Sequence, residues 1–240
     1  MSLISVVQDV CVLVGVERPS AIFAAITTDR TAQEMLATAN EMVAQTAFDY
    51  RDWTALIKTA TIPGDGVTTS FPLPGDFRRL LIDGNIWSSI TPQTPLVFIS
   101  SFDEWIYREA GNYWIYAGQY IIQGNNILIQ PPLPPTATVK FAYVCNNIVN
   151  NNNAVPHGVS DRFMSDEDTT VLDERLLKLG MIWKWKYDKG APYAEDMGTY
   201  TDALMMRAGK DQPAPIMVNR VPLMNSVRAT VAYPWPLPTP

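Results

Sequence analysis

The residues best suited to chemistry in this sequence are few and lie far apart. His157 is the single histidine, so a Ser-His-Asp or Cys-His site would have to use it. Neither Ser160 nor the cysteines Cys11 and Cys145 lie in a recognisable nucleophile motif. A histidine-rich metal site needs more than one histidine. The sequence therefore predicts no catalytic residues, no metal ligands and no cofactor.

Three consecutive carboxylates, Asp166, Glu167 and Asp168, form the densest acidic cluster. They have the chemistry to hold a hard cation, but such a run is more typical of the start of a helix, where the macrodipole favours negative charge. We therefore expect a helix to begin here. A catalytic carboxylate pair is defined by spacing in three dimensions, so the sequence leaves a hydrolase open.

Two further patterns favour structural interpretations. Gly64-Asp65-Gly66 lacks the rest of any phosphate-binding fingerprint and predicts a hairpin turn. Trp183 and Trp185 stand among lysines, a combination that could stack on nucleic acid. The favoured alternative places Trp183 in the core and the lysines at a helix C-terminus. Cys11 and Cys145 show no CxxC spacing and are predicted to be reduced, buried thiols.

The overall composition narrows the class of protein. Only 18% of the residues are charged and 47% are hydrophobic, which predicts surface hidden against other subunits. The net charge of −6 argues against a protein that grips DNA phosphates. The most apolar N-terminal run, 10–14, is too short for a membrane span and makes a poor signal peptide. We therefore expect that the protein does not associate with a membrane and is synthesised in the cytoplasm.

The first fifty residues predict two helices. Ser2 can cap a helix whose apolar positions recur at three and four until Gly15 stops it. These positions are Leu3, Val6, Val7, Val10, Cys11 and Val14. A longer helix should begin near Thr28 or Asp29 and reach about Tyr50 or Trp53. Its buried stripe is predicted to comprise Ala32, Met35, Leu36, Ala39, Met42, Val43, Thr46 and Ala47.

The middle of the chain predicts a small antiparallel β domain. Turn chemistry at 62–66 precedes a segment in which Pro72 and Pro74 allow only an extended edge. Six runs have strand character: 79–82, 96–99, 113–116, 120–122, 127–129 and 138–143. Hairpin loops are expected at 118–119 and 124–126. One short helix is predicted over 102–109, with Phe102, Trp105 and Ile106 on its apolar side.

Helical periodicity returns after a polar loop at 150–153 and an irregular segment that reaches Ser165. Leu172, Leu176, Leu179 and Trp183 form a predicted buried stripe, and Gly190 ends that helix. Pro192 is well placed to start another helix, which Gly209 would close. Its predicted face comprises Ala194, Met197, Thr201, Leu204 and Met205.

The segment 211–240 contains seven prolines and has no helical or strand period. Such composition favours polyproline II, yet the segment carries more large apolar residues than disordered tails usually do. We therefore predict an extended arm that orders on another surface. Its candidate partner-binding residues are Ile216, Met217, Val218, Leu223, Met224, Val231, Tyr233 and Trp235.

These elements predict an α+β fold: a helical bundle made from the N- and C-terminal helices, an inserted small antiparallel β domain and an extended C-terminal arm. The predicted boundaries are 1–57 and 165–210 for the bundle, 58–150 for the β domain, 151–164 for an irregular loop and 211–240 for the arm.

Three blocks of sequence resemble the head-to-tail connector (adaptor) proteins of tailed bacteriophages. The first is 50–56, YRDWTAL. The second is FPLPGDFRRL at 71–80, followed by ILIQPPLP at 127–134. The third and most specific is LDERLLKLGMIWKWK at 172–186, with Lys189-Gly190 and Tyr193-Ala194 after it. The resemblance spans roughly residues 1–210.

The resemblance implies a structural, non-enzymatic subunit of the virion at the head–tail junction. It implies a homo-oligomeric, dodecameric ring that docks on the portal protein, extends the channel for genomic DNA without sequence-specific binding, and contacts the next tail component. The family offers no catalytic residues to carry over. The loop at 150–165 and the long arm depart from the pattern and leave the next component open.

Two other classes of function remain possible from the residues alone. Acidic clusters in a phage protein are compatible with a tail-associated cell-wall hydrolase. The β segment is compatible with a host- or carbohydrate-binding tail module.

Overall fold

The computed structural model describes residues 2–25, 29–153 and 158–211. Its helices within these ranges are α1 Leu3–Val14, α2 Arg30–Phe48, α3 Phe102–Gly111, α4 Glu174–Asp188 and α5 Ala194–Asp211, with a 3-10 turn at Thr54–Leu56. Its strands are β1 Ile57–Pro63, β2 Ser70–Pro72, β3 Phe77–Leu80, β4 Ile86–Ser88, β5 Val97–Phe98, β6 Gln119–Gln123, β7 Asn126–Gln130, β8 Thr138–Cys145, β9 Val149–Asn151, β10 Gly158–Ser160 and β11 Thr169–Thr170.

The helices from the two ends of the chain pack around α4, which contacts α1, α2 and α5. The predicted stripe of α2 is buried throughout, as is the α1 stripe except for Val14, which is half-buried. Gly180 lets these helices approach closely, since a Cβ atom there would lie 2.8 Å from Met42 Cε and 3.3 Å from Tyr200 Cε2. The predicted α+β fold with a bundle from both chain ends is confirmed.

The ends of α1 and α2 follow local sequence signals with small differences. Ser2 holds the N-cap position of α1, but its side chain makes no capping hydrogen bond. Gly15 ends α1 in the left-handed conformation (φ +75°), as Gly allows without strain. The Asp29 side chain accepts a hydrogen bond from Thr31 N. α2 ends at Phe48, slightly before the predicted Tyr50.

The acidic run at 166–168 does not start α4, contrary to the prediction. That role belongs to Asp173, whose side chain accepts from Arg175 N. Its backbone carbonyls instead accept hydrogen bonds from the first turn of α1. Leu3 N donates to the Asp168 carbonyl (2.8 Å) and Ile4 N donates to the Asp166 carbonyl (3.1 Å). These carbonyls satisfy two of the amide groups that the first turn of a helix leaves without partners.

The carboxylates of the same run hold loops in place. Asp166 accepts from the backbone of Ile22 and Phe23. Asp168, fully buried, accepts from Met164 N (2.7 Å) and Ser165 N (2.8 Å). The Asp166 carboxylate and Asp168 Oδ2 are bonded to backbone amides, whereas the buried Asp168 Oδ1 has no partner, and the run thereby joins distant segments of the chain.

The buried faces of α4 and α5 differ from those predicted. Leu172 and Leu176 are buried, whereas Leu179 and Trp183 are half-buried, and Met181, Ile182 and Trp185 enter the core. In α5, Tyr200 and Leu204 are buried, while Met197 and Met205 are exposed. α5 also continues through Gly209 to Asp211. Neighbouring helices decide which part of a broad apolar surface is covered.

The largest strand, β8, lies at the centre of a sheet in which β1, β3 and β4 pair with it antiparallel. β1 was missed, and its last residues, Ile62 and Pro63, had been assigned to a turn. A second sheet has the order β2-β7-β6-β5. Pro72 lies in its edge strand β2, as predicted, but β5 pairs parallel with β6, so the sheet is mixed and not purely antiparallel.

Other strand predictions succeeded or failed for local reasons. β6 and β7 form the expected hairpin around Gly124-Asn125, with Asn126 already in β7. Residues 113–116 form no strand, and 118–119 form no hairpin loop because Gln119 begins β6. Aromatic residues gave 113–116 strand character, although their side chains lie largely outside the core.

The segment 150–165 is partly ordered as strand, contrary to the irregular loop that was predicted. β9 pairs antiparallel with β10 and with β11, and this small sheet leads the chain back to α1 and α4. α3 also differs from its prediction. Trp105 is buried against Ile99 and Ile121 on the second sheet, but Phe102 and Ile106 are exposed.

A single large apolar cluster includes residues from the bundle and from both larger sheets. Cys11 and Cys145 are buried free thiols within it, as predicted. The segment 212–240, with all eight candidate arm residues, lies outside the described residues, as does His157.

Candidate interaction surfaces

Exposed apolar side chains include one group on α5 of the bundle and another on α3 and the β region; others, such as Val12, Val67 and Met164, lie outside both groups. The bundle surface is the outer side of α5 at Met205 and Met206, which are exposed; Met197, also exposed, lies nine residues before Met206 and therefore on the opposite side of the helix. The distal surface comprises Ile90, Phe98, Phe102, Ile106, Tyr107, Tyr113 and Tyr116, all exposed. Clustered exposed apolar residues on a soluble fold are typical of interaction sites. The sequence had assigned several of these side chains to buried faces, and no sequence signal separated them from core residues.

The bundle surface is anchored to the start of β1 by the end of α5. Asp211 accepts hydrogen bonds from the hydroxyl of Thr54 (2.5 Å) and from Thr54 N (3.1 Å), and Arg51 Nη1 donates to the Ala208 carbonyl. Burial alone would raise the pKa of Asp211, but the Thr54 hydrogen bonds and the nearby arginines hold that pKa below its usual value. Asp211, the first residue of the predicted arm, is therefore held in place beside Thr54 at the end of α5.

A polar junction lies just beneath this surface. The Thr46 hydroxyl donates to the Met42 carbonyl (2.7 Å), so the Tyr200 hydroxyl, 2.9 Å away, donates to the Thr46 oxygen. Trp53, almost fully buried, donates from Nε1 to the Thr46 carbonyl (2.8 Å). Three elements, α2, α5 and the linker to β1, are thus held in one orientation.

The distal surface is built on α3 and the second sheet. The Ser101 side chain caps α3, and Trp105 fastens the helix to the sheet. The outer side of α3 then carries Phe102, Ile106 and Tyr107, and the Tyr107 ring stacks on Tyr113 with centroids 5.8 Å apart. The helix is secured by one buried residue, which leaves most of its apolar side chains outward.

A pocket of about 160 Å³ opens beside this surface. Its walls include Ile90, Leu96, Tyr116, Pro132 and Leu133. The wall at 131–134 rests on the loop after β1, where Gly64 lies so close that a Cβ atom would come within 2.4 Å of the Pro134 carbonyl oxygen. Tyr116 is 92% exposed at the rim.

The lysines of α4 are engaged with carboxylates of the surrounding helices. Lys178 bonds to Asp9 of α1 (2.8 Å) and Lys186 to Asp196 of α5 (2.6 Å). Lys184 and Lys189 bond to Glu41 and Glu34 of α2. The hydrogen bond from Lys178, together with its positive charge, lowers the pKa of Asp9. This pattern favours helix packing as the role of the lysines over nucleic-acid binding.

Other types of site were sought in the part of the chain that the structure describes. No group of three or more His, Cys, Asp or Glu side chains there could hold a metal ion. No helix among the described residues has the length and apolarity needed to cross a membrane.

Comparison with known families decides the identity. The family model described as SU10 adaptor protein matches residues 1–220, which include both helical ends, all described strands and the start of the proline-rich segment. The chain belongs to the SU10 adaptor protein family. No curated protein matched the chain in a separate search.

Membership in the adaptor family confirms the resemblance to phage head-to-tail adaptors and makes the chain a structural adaptor of a tailed bacteriophage. The match spans all three blocks that carried the resemblance.

Proposed function

We propose that this adaptor forms a dodecameric ring that docks on the portal, extends the DNA channel and attaches the tail in the virion. The match to the adaptor family over residues 1–220 carries this proposal. A ring of identical subunits joined head to tail needs two different surfaces on each subunit. The bundle surface on α5 and the distal surface on α3 and the β segment are the two surfaces that we propose for these contacts.

In the proposed ring, each of the predicted parts of the chain has a separate role. The bundle, residues 1–57 and 165–210, would form the ring body, and the inserted segment 58–150 would project from it. The arm, 211–240, would lie on a neighbouring subunit or on the portal and add main-chain and apolar contacts through its eight candidate residues.

The charge of the chain suits a channel that DNA passes without adhering. The net charge of −6 repels phosphates at short range, and the α4 lysines described above are occupied by carboxylates. The proposed ring would therefore guide genomic DNA by shape and repulsion, with no sequence-specific contact.

The test is to mix the purified full chain with a purified portal from the same phage and image the product by electron microscopy. We expect rings on the portal for the full chain and fewer or none for a chain lacking residues 212–240. Normal rings from the truncated chain would show that the arm is not needed for assembly. Absence of rings from the full chain would contradict the proposal that the chain forms a ring on the portal.

A point variant separates surface effects from folding. Met206→Asp places a charge on the bundle surface, where Met206 is 69% exposed, and should reduce ring yield at least tenfold. Thr199→Asp adds the same charge at an exposed position of α5 without removing an apolar side chain, and should form rings normally. Both variants should unfold at the temperature of the unaltered chain.

A further inference from the structure

The pocket beside Tyr116 is the feature that the adaptor role leaves without an occupant. Its volume, about 160 Å³, is below the ~300 Å³ at which small-molecule sites usually begin. It is close to that of a cavity, roughly 150 Å³, that encloses one benzene ring. A pocket of this size suits one apolar side chain of a peptide.

The residues that line the pocket indicate which class of peptide it could bind. Three prolines, Tyr116 and apolar residues line the pocket together with the polar side chains of Ser88, Thr91 and Gln130, and no charged side chain is among the lining residues. The stacked Tyr107 and Tyr113 extend the aromatic surface beyond the pocket. Extended proline-rich segments dock on aromatic-lined grooves, because a preformed polyproline II conformation loses little entropy on binding.

The chain itself carries a segment of matching chemistry. Residues 233–240 read YPWPLPTP, with proline at every second position and no charged side chain. Leu237 is an aliphatic side chain of a size that the pocket can enclose. A neutral, proline-rich segment and a neutral, aromatic-rimmed pocket are complementary.

The geometry brings the two within reach. Asp211 is fixed beside Thr54 at the start of β1, and the pocket wall rests on Gly64 beyond its end. β1 has seven residues, which span about 20 Å at ~3.3 Å per residue. The 21 residues 212–232 would extend over about 65 Å as polyproline II, so the segment can reach the pocket with length to spare.

We infer that residues 233–240 bind the pocket of the same chain in the free subunit, with Leu237 in the pocket and the aromatic rim covered. A segment tethered within the same chain acts at an effective concentration of the order of millimolar, which far exceeds that of a second subunit at micromolar protein. This contact covers an apolar surface before assembly. The inferred contact is additional to the proposed ring, and the inference does not depend on that ring.

Photo-crosslinking of the full chain tests the contact. Tyr116 is replaced by benzoylphenylalanine, a 1:1 mixture of unlabelled and nitrogen-15-labelled protein is irradiated at micromolar concentration, and tryptic peptides are analysed by mass spectrometry. We expect cross-links from position 116 to peptide 229–240 that join like-labelled peptides only. Absence of that cross-link, or the half share of mixed-label pairs that contacts between copies produce, would overturn the inference.

A matched control and a second variant pair make the test specific. Benzoylphenylalanine at Tyr187, which is 52% exposed on the bundle, should not cross-link to peptide 229–240, and an equal yield there would overturn the inference. Leu237→Asp should lower the yield from position 116 at least fivefold, whereas Thr239→Asp should leave it within twofold. Equal yields from the two arm variants would contradict the placement of Leu237.

Hydrogen exchange on unlabelled protein gives an independent measurement. Deletion of residues 233–240 should accelerate exchange of the amides at 116–118 at least tenfold, and unchanged exchange would overturn the contact.

Discussion

Particular buried polar groups differ between the junction beneath the bundle surface and the sheet beneath the distal surface, although the bundle region also has buried atoms without partners at Arg51 Nε and Trp183 Nε1. At the junction, the hydroxyl of Thr46 is bonded to Met42 and Tyr200, and Trp53 Nε1 to the Thr46 carbonyl. In the second sheet, the fully buried Gln119 has no hydrogen-bond partner for either side-chain polar atom. Satisfied networks fix one arrangement, whereas a buried group without a partner costs stability.

The difference suits the roles proposed for the two regions. The junction must hold α2, α5 and the start of β1 rigidly, since the arm leaves from that point. The distal region is secured by fewer buried contacts, with Trp105 the one fully buried residue of α3. We therefore expect mutations at the junction to change global stability more than mutations in the distal sheet.

The largest effect is expected at Trp53. Trp53→Ala removes a side chain that is 1% exposed and frees the Thr46 carbonyl. Such truncations cost about 3–5 kcal/mol of unfolding free energy. Urea unfolding followed by circular dichroism measures it, with Phe102→Ala on the exposed side of α3 as the distal control at below about 1 kcal/mol. Equal losses of unfolding free energy in the two variants would contradict the expected difference between the two regions.

An intermediate effect is expected at Tyr143 in β8, which belongs to the central sheet. Its hydroxyl donates to Asp76 (2.8 Å), and Lys58 bonds to the same carboxylate. Burial and the Asp76 carboxylate raise the pKa of Tyr143 to about 12. Tyr143→Phe should lower the unfolding free energy by about 1 kcal/mol at neutral pH.

The pH dependence of this variant has a definite sign. In the unfolded chain tyrosine loses its proton near pH 10, while the folded chain retains it to about pH 12. The contribution of the Tyr143 hydroxyl to the unfolding free energy is therefore complete below pH 10 and declines as the pH rises to 12. The stability difference between the unaltered chain and Tyr143→Phe should shrink over that range, and a difference that stays constant would contradict the raised pKa.

An effect of similar size but opposite sign is expected at Gln119. Gln119→Met keeps the shape of the side chain and removes two polar atoms that have no partner, so stability should rise by about 1 kcal/mol. Gln123→Met, at an exposed position of the same strand, should change stability by less than about 0.5 kcal/mol. A clear loss of stability in Gln119→Met would show that the amide is satisfied in solution and would weaken the contrast.

Much of the helical framework was predictable because its signals are local. The α2 stripe, the Asp29 cap and the left-handed Gly15 depend on residues within a few positions of each other. The Gly124-Asn125 hairpin is local in the same sense. The resemblance to phage adaptors was also readable, since it rests on ordered blocks of sequence, and the family match confirms it.

The failures concern contacts between distant segments. Asp166 and Asp168 have the sequence pattern of a helix start. Their backbone carbonyls instead accept hydrogen bonds from the first turn of α1, which is more than 160 positions away in the sequence. The methionines of α5 and the outer residues of α3 have apolar periodicity, but whether an apolar face is covered depends on the neighbouring element and not on the face itself. β1 was missed because its partner, β8, lies about 80 positions away.

The sequence by itself determined the types of most elements, the buried thiols, the membership of an adaptor family and the proline-rich character of 212–240. Only the tertiary structure decided which apolar faces remain exposed and that a pocket of one-side-chain size opens beside Tyr116. The physical reason is that propensity and capping act over a few residues, whereas exposure is set by packing partners that the chain brings together only on folding.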